Sequence, residues 1–141
     1  MAKSAKIDLV AELFASLEDF PRAEALMEEI YDGNVYFQDP IQRVDGLKAF
    51  QDMNRRVVEK MPGLEVKVLG VTGNDQAVAA EWDMSFNTLG RRVHLPGVSW
   101  LSFNAAGKCY RHVDYWDWMA LSDQVVPAMK FMHDIMRKAV G

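Results

Sequence analysis

The sequence of 141 residues has one cysteine, Cys109, and three histidines, at positions 94, 112 and 133. A lone thiol excludes an intrachain disulfide and a cysteine-built zinc site, and it suits a reducing, cytoplasmic setting. The histidines fall at no helical or strand spacing that would bring them to one ion, so no metal is expected. Apolar runs are short. None approaches the roughly eighteen residues a membrane helix needs, and Asp8 and Glu12 interrupt the lysine-bearing start MAKSAKIDLVAELF before it could read as a leader. Basic clusters are equally scarce. Sixteen Lys and Arg stand against twenty Asp and Glu, and no basic run exceeds the pairs Arg55-Arg56 and Arg91-Arg92, which argues against a nucleic-acid partner. Glycines 63, 70, 73, 90, 97 and 107 stand singly rather than in a phosphate-cradling loop, and no cofactor is expected.

Apolar side chains, by contrast, make up 50% of the chain, with nine methionines and 11% aromatics, enough for one packed core in one domain spanning 1–141. Leu9, Val10, Leu13, Phe14 and Leu17 recur at three- and four-residue steps, which predicts a helix. Pro21 opens a second helix carrying Leu26, Met27, Ile30 and Tyr31 and ending at Asp32-Gly33-Asn34. In VYFQDP, Val35, Phe37 and Asp39 share one face of a strand that Pro40 stops. Asp45 is expected to cap a third helix that ends at Met61-Pro62-Gly63. Four strands follow, over about 64–72, 76–88, 91–103 and 108–118, joined by short turns as an antiparallel meander. A last helix over about 123–139 turns Val125, Met129, Met132, Met136 and Ala139 to one side.

These elements predict an α+β fold, a cone-shaped, curved antiparallel sheet wrapped around N-terminal helices, with Gly97 placed for a bulge that aids the bend. A curled sheet closed at one end by helices leaves a mouth for a small molecule. On the last strand His112, Asp114 and Trp116 are two residues apart and project from one face. An imidazole and a carboxylate entering one apolar hollow can exchange protons with a substrate near neutral pH. Asp39 should point inward beside Val35 and Phe37, either as a pocket carboxylate or as the cap of its own Asp-Pro-Ile turn. Tyr36 and Trp100 have the opposite parity and should decorate the outer face, which suggests a homodimer through that face. Cys109 has the parity opposite to His112 and no base beside it, so no nucleophilic role is expected.

The order helix, helix, strand ending in Asp-Pro, helix, four long strands resembles the nuclear transport factor 2-like superfamily, which includes ketosteroid isomerase, limonene epoxide hydrolase and the SnoaL-like polyketide cyclases. VYFQDPIQRVDGLKAF (35–50) and GVSWLSFNAAGKCYRHVDYWD (97–117) carry the likeness, which covers about residues 6–118 and leaves the last helix as an addition. The resemblance puts Asp39 where ketosteroid isomerase-like proteins keep a general base, and their two oxyanion donors near Phe14 and Ser99. It puts Asp114 at one carboxylate of the epoxide hydrolases' Asp-Arg-Asp arrangement. The other two members would fall on QAVAAEWDMSFNT, whose Glu81 and Asp83 point away from the apolar face. His112 with Asp114 is compatible with the strand-borne acid/base of SnoaL-like cyclases. The candidate catalytic residues are therefore Asp39, His112 and Asp114. The candidate ligand contacts are Phe14, Phe37, Trp82, Met84, Phe86, Ser99, Leu101 and Trp116. The implied function is binding of a small apolar organic molecule by a cofactor-independent isomerase, cyclase or hydrolase. The alternatives are a non-catalytic ligand-binding domain of the same fold and a protein-interaction domain that uses the outer sheet.

Overall fold

A computed structural model describes residues 5–141; Met1–Ser4, the start of the segment read for a leader, lie outside the described residues. Two short helices, α1 (Ala5–Ala15) and α2 (Phe20–Ile30), lead into strand β1 (Tyr31–Gln38), the short β2 (Arg43–Asp45) and helix α3 (Leu47–Lys60). Strands β3 (Glu65–Gly73), β4 (Ala77–Thr88), β5 (Arg91–Phe103) and β6 (Cys109–Trp116) follow, then helices α4 (Trp118–Val125) and α5 (Pro127–Val140). The six strands form one sheet in the order β2-β1-β6-β5-β4-β3. From β3 to β6 every pair is antiparallel, as the turns required. The sheet as a whole is mixed, because β1 lies parallel to β6, with Phe37 beside His112. The chain reaches that pairing only after α3 and the meander, so no local turn signals it.

Residues directly opposite across an antiparallel pair share a face. The two-residue turn Leu89–Gly90, with positive φ at both positions (48° and 72°), fixes the β4–β5 register. One face therefore carries the rows Val78–Leu101–His112, Ala80–Ser99–Asp114 and Trp82–Gly97–Trp116. Most of these side chains are buried in a core shared with Val10 and Leu13 of α1, Met27 of α2 and Phe50 and Met53 of α3. The opposite face leaves Trp100 and Tyr115 exposed. Tyr36 is half-buried there, with the Arg43 guanidinium 4.5 Å from its ring centre.

Several local expectations are corrected. The second helix stops at Ile30, and Tyr31 begins β1. Between Tyr31 and Tyr36, β1 bulges out of register with β6, so Asp32-Gly33-Asn34 is an irregularity within the strand. Asp45 lies in β2 and Gly46 occupies the cap of α3, where no side chain caps the helix. Gly97 is in regular register, and the bulges fall elsewhere, between Val68 and Gly70 and between Ser102 and Phe103. The second of these returns Cys109 to the buried side. The tail forms two helices, because Pro127 disfavours helical backbone at Val126 and starts a new helix. Asp117 caps α4 by accepting from the backbone N–H groups of Met119 and Ala120 (2.8 and 3.2 Å).

Helix α5 is held to α4 by polar contacts rather than by its methionines. Asp123 of α4 pairs with the buried His133 and, at 2.6 Å, with Arg137. The Arg137 hydrogen bond, followed by that of His133, holds the Asp123 carboxyl below its ordinary value. Met132 and Met136, expected on the covered side, are each 55% exposed.

Candidate functional site

A cavity of about 170 Å³ lies between the inner sheet face and α1, α3 and α4. Phe14, Phe37, Phe50, Met53, Trp82, Met84 and Phe86 supply much of its apolar wall, with Trp116 and Leu121. His112 and Asp114 enter it from β6 and Asp39 from the end of β1. An engineered apolar cavity of roughly 150 Å³ holds benzene, so this one is sized for a ring or a comparably compact group.

The polar groups form one chain. The Trp82 indole Nε1 donates to Ser99 Oγ at 2.9 Å, and Ser99 Oγ donates to Asp114 Oδ1 at 2.5 Å. His112 Nε2 lies 2.6 Å from the same oxygen, and its Nδ1 lies 2.8 Å from the Tyr31 hydroxyl. Asp114 as a carboxylate has only lone pairs to offer, so the imidazole hydrogen sits on Nε2 and Nδ1 accepts from the phenol. Burial pushes the Tyr31 phenol well above its ordinary value, with Cys109 and Asp114 adding to the shift, which keeps it a donor. The rings of Tyr31, Phe37, Phe50 and Phe14 surround the imidazole at 5.1 to 6.2 Å, with Tyr31 stacked within 11° of parallel. His112 is thus oriented on both nitrogens and kept dry. Both hydrogen bonds to Asp114 fall on Oδ1. Its Oδ2 takes no hydrogen bond from the described residues, on a side chain that lines the cavity and is 20% exposed.

The family model of the SnoaL-like domain matches residues 10–112. The chain belongs to the SnoaL-like domain family. No protein of curated function matches it in sequence. Solved structures of low identity share the nuclear transport factor 2-like fold. A protein assigned as a SnoaL-like polyketide cyclase from Jannaschia sp. CCS1 superposes with a TM-score of 0.74 at 18% identity, covering 89% of this chain and 96% of that one. An LEH-like epoxide hydrolase of M. tuberculosis gives 0.69 at 16% identity, with 86% and 90% covered. A ketosteroid isomerase-like protein from Catenulispora acidiphila, solved with trimethylamine, gives 0.68 at 12%, with 82% and 91% covered.

Within this SnoaL-like domain, Asp39, His112 and Asp114 all line one cavity, but in two settings. Asp39 spends Oδ1 on the backbone N–H groups of Ile41 and Gln42 (2.9 Å each) and Oδ2 on the Gln42 amide (3.3 Å), which is the turn-capping arrangement. Of the expected ligand contacts, Phe14, Phe37, Trp82, Met84, Phe86 and Trp116 reach the cavity. Ser99 and Leu101 are fully buried and do not line it; of β5, Leu95 is the residue that does. Ser99 acts from behind the wall through Trp82 and Asp114. Tyr31 is the member that sequence reading missed. A strand beginning at Tyr31 would have put it on the same side as Val35 and Phe37, which is the signal that could have found it.

Gly97 sets the position of the Trp82 ring. A Cβ at residue 97 would stand 2.4 to 2.8 Å from three atoms of that ring. Gly97→Ala should therefore displace the indole, break its bond to Ser99 and cost about 1–3 kcal/mol in overpacking. Urea unfolding and Trp82 emission check this. An unchanged midpoint and spectrum would mean that the ring has room to move.

Proposed function

We propose that this SnoaL-like domain binds a small, largely apolar molecule carrying a carbonyl or similar oxygen, and that Asp114 moves a proton on it without a cofactor. The observation that carries the reading is the Asp114 carboxylate, with one oxygen fixed by Ser99 and His112 and the other without a protein partner at an apolar cavity. Oδ2 takes the proton from a carbon next to the carbonyl, and the electrons of that C–H bond pass into an enolate. Returning the proton to another carbon isomerises the molecule; alternatively the enolate attacks a second carbonyl within it, the C=O π pair moves onto oxygen as the ring closes, and that alkoxide takes the proton back from Asp114. Trp116, on the same face of β6, has an indole N–H with no protein partner among the described residues and serves as donor to the oxygen. Tyr31 and His112 position Asp114. Asp39 shapes the rim of the site.

The test is deuterium uptake. In D2O, cyclohexanone, a ring of the right size, should gain deuterium beside its carbonyl faster than in buffer and saturably. A ketone that fills the cavity, as read by Trp82 and Trp116 fluorescence, without exchange would sink the enzymatic reading. That outcome favours non-catalytic binding, a second reading supported by the internal pairing of the polar groups of Tyr31, His112 and Asp39. The reading also includes a homodimer through the outer sheet face, supported by exposed Trp100 and Tyr115. Sedimentation should give a dimer that Trp100→Glu converts to monomer, and a monomeric wild type would remove it.

A further inference from the structure

A second apolar cavity, of about 460 Å³ and more open than the first, lies under α4. Met61, Phe86 and Leu121 line both cavities, so the two adjoin at those three side chains. Met61 and Leu121 are partly exposed, and Met61 sits at the end of α3 as an unbranched chain that can swing aside. Trp118, Val125, Val126 and Met129 form the remaining apolar wall. Ser122, one of two hydroxyl-bearing residues there with Thr88, already donates to the Met119 carbonyl at 3.1 Å. Such a surface has little to hold a charged or polar head, and it leaves Trp118 and Val126 about half exposed, at 49% and 41%.

We infer that the ligand is two-part. A compact oxygen-bearing head occupies the inner cavity beside Asp114, and an unbranched apolar tail passes between Met61, Phe86 and Leu121 into the cavity under α4. The inference rests on the reading of the inner cavity as the ligand site and adds the class of molecule. The inner cavity alone is small for a multi-ring substrate, since drug-sized ligands occupy pockets of roughly 300–1,000 Å³. The adjoining second cavity supplies the missing room along α4 once the Met61 side chain swings aside. The C-terminal helices thereby acquire a purpose: α4 roofs the tail channel, and the polar clamp of Asp123, His133 and Arg137 fixes α5 against it.

A series of 4-n-alkylphenols, from phenol to 4-hexylphenol, tests this by fluorescence titration of the full chain. The phenol ring fits the inner cavity and its hydroxyl can meet Asp114 Oδ2. Affinity should rise by about fourfold per methylene as the chain enters the second cavity. Val125→Trp fills that cavity from α4 and should collapse the hexylphenol-to-phenol affinity ratio to below about tenfold, the gain of fewer than two methylenes. Met129→Trp fills it from α5 and should do the same, which keeps the test decisive if one variant fails to fold. A series that stays flat in the wild type while phenol binds overturns the two-part ligand alone. Phenol that does not bind at all overturns the inner-cavity reading with it. A rise undiminished in a folded variant places the tail elsewhere and also overturns the inference.

Discussion

Asp114→Asn is expected to lower enzyme-catalysed deuterium uptake by about 10²- to 10⁴-fold while leaving ketone binding and fold in place, the usual loss when a positioned general base is removed. The substitution is close to isosteric. Asparagine keeps a carbonyl oxygen that accepts from both Ser99 Oγ and His112 Nε2, the two bonds that Oδ1 now takes. What changes is the other atom, which becomes an amide nitrogen with no lone pair for a proton. Structure and binding are thus separated from chemistry in one variant. Asp39→Asn is the natural comparison. Its turn contacts to Ile41 and Gln42 use Oδ1, which asparagine also supplies, so exchange should change little. Exchange that survives Asp114→Asn but falls with Asp39→Asn would reverse the assignment of the two carboxylates.

The effect of Asp114 depends on how firmly it is held, and its holders come from four strands. Ser99 is opposite it on β5, His112 two residues before it on β6, Trp82 next along on β4, and Tyr31 at the start of β1 beyond His112. A carboxylate braced by two donors and aimed by a buried imidazole keeps its free oxygen in one place, which limits reorganisation when a proton arrives. No buried polar side-chain atom among the described residues is left without a partner, those of this network included.

Much of this arrangement was legible because strand alternation has a period of two. The spacing of His112, Asp114 and Trp116, and of Trp82, Met84 and Phe86, places each set on one face whatever else the chain does, and all six reach the cavity. The Leu89–Gly90 turn is short enough to fix Ser99 opposite Ala80, whereas Ser99 meets Asp114 across the β5–β6 pair, beyond the bulge between Ser102 and Phe103, which counting from the turn does not reveal. Tyr31 was not legible in that way. It continues the helical spacing of Leu26, Met27 and Ile30, and only the parallel pairing of β1 with β6 draws it into the sheet beside Cys109. The closure of the first cavity by Leu121 likewise depends on how α4 packs against β5, which no spacing within α4 specifies. Periodicity says which face a residue shares. It does not say which distant element covers that face.

Raising the pH from about 8.5 to 10 should cost the folded protein on the order of 2 kcal/mol, through Cys109. The thiol is fully buried beside Tyr31 and Phe103, and burial pushes it up to about 12, against an ordinary thiol near 8.5. Folding therefore favours the neutral thiol. That contribution is complete below the unfolded value, falls by about 1.4 kcal/mol per pH unit once the unfolded chain ionises, and is gone only near pH 12. Tyr31 shifts in the same direction, but an unfolded phenol ionises only from about pH 10, where lysines also begin to discharge. The interval from 8.5 to 10 thus isolates the cysteine. Urea midpoints should decline across it in the wild type and stay level in Cys109→Ala, which replaces the thiol with a side chain that cannot ionise. Native protein should also resist thiol reagents in this range until urea unfolds it. Equal slopes in the two proteins would mean that the thiolate finds water or a cation in the folded state, and the dry wall behind His112 would have to be redrawn with it.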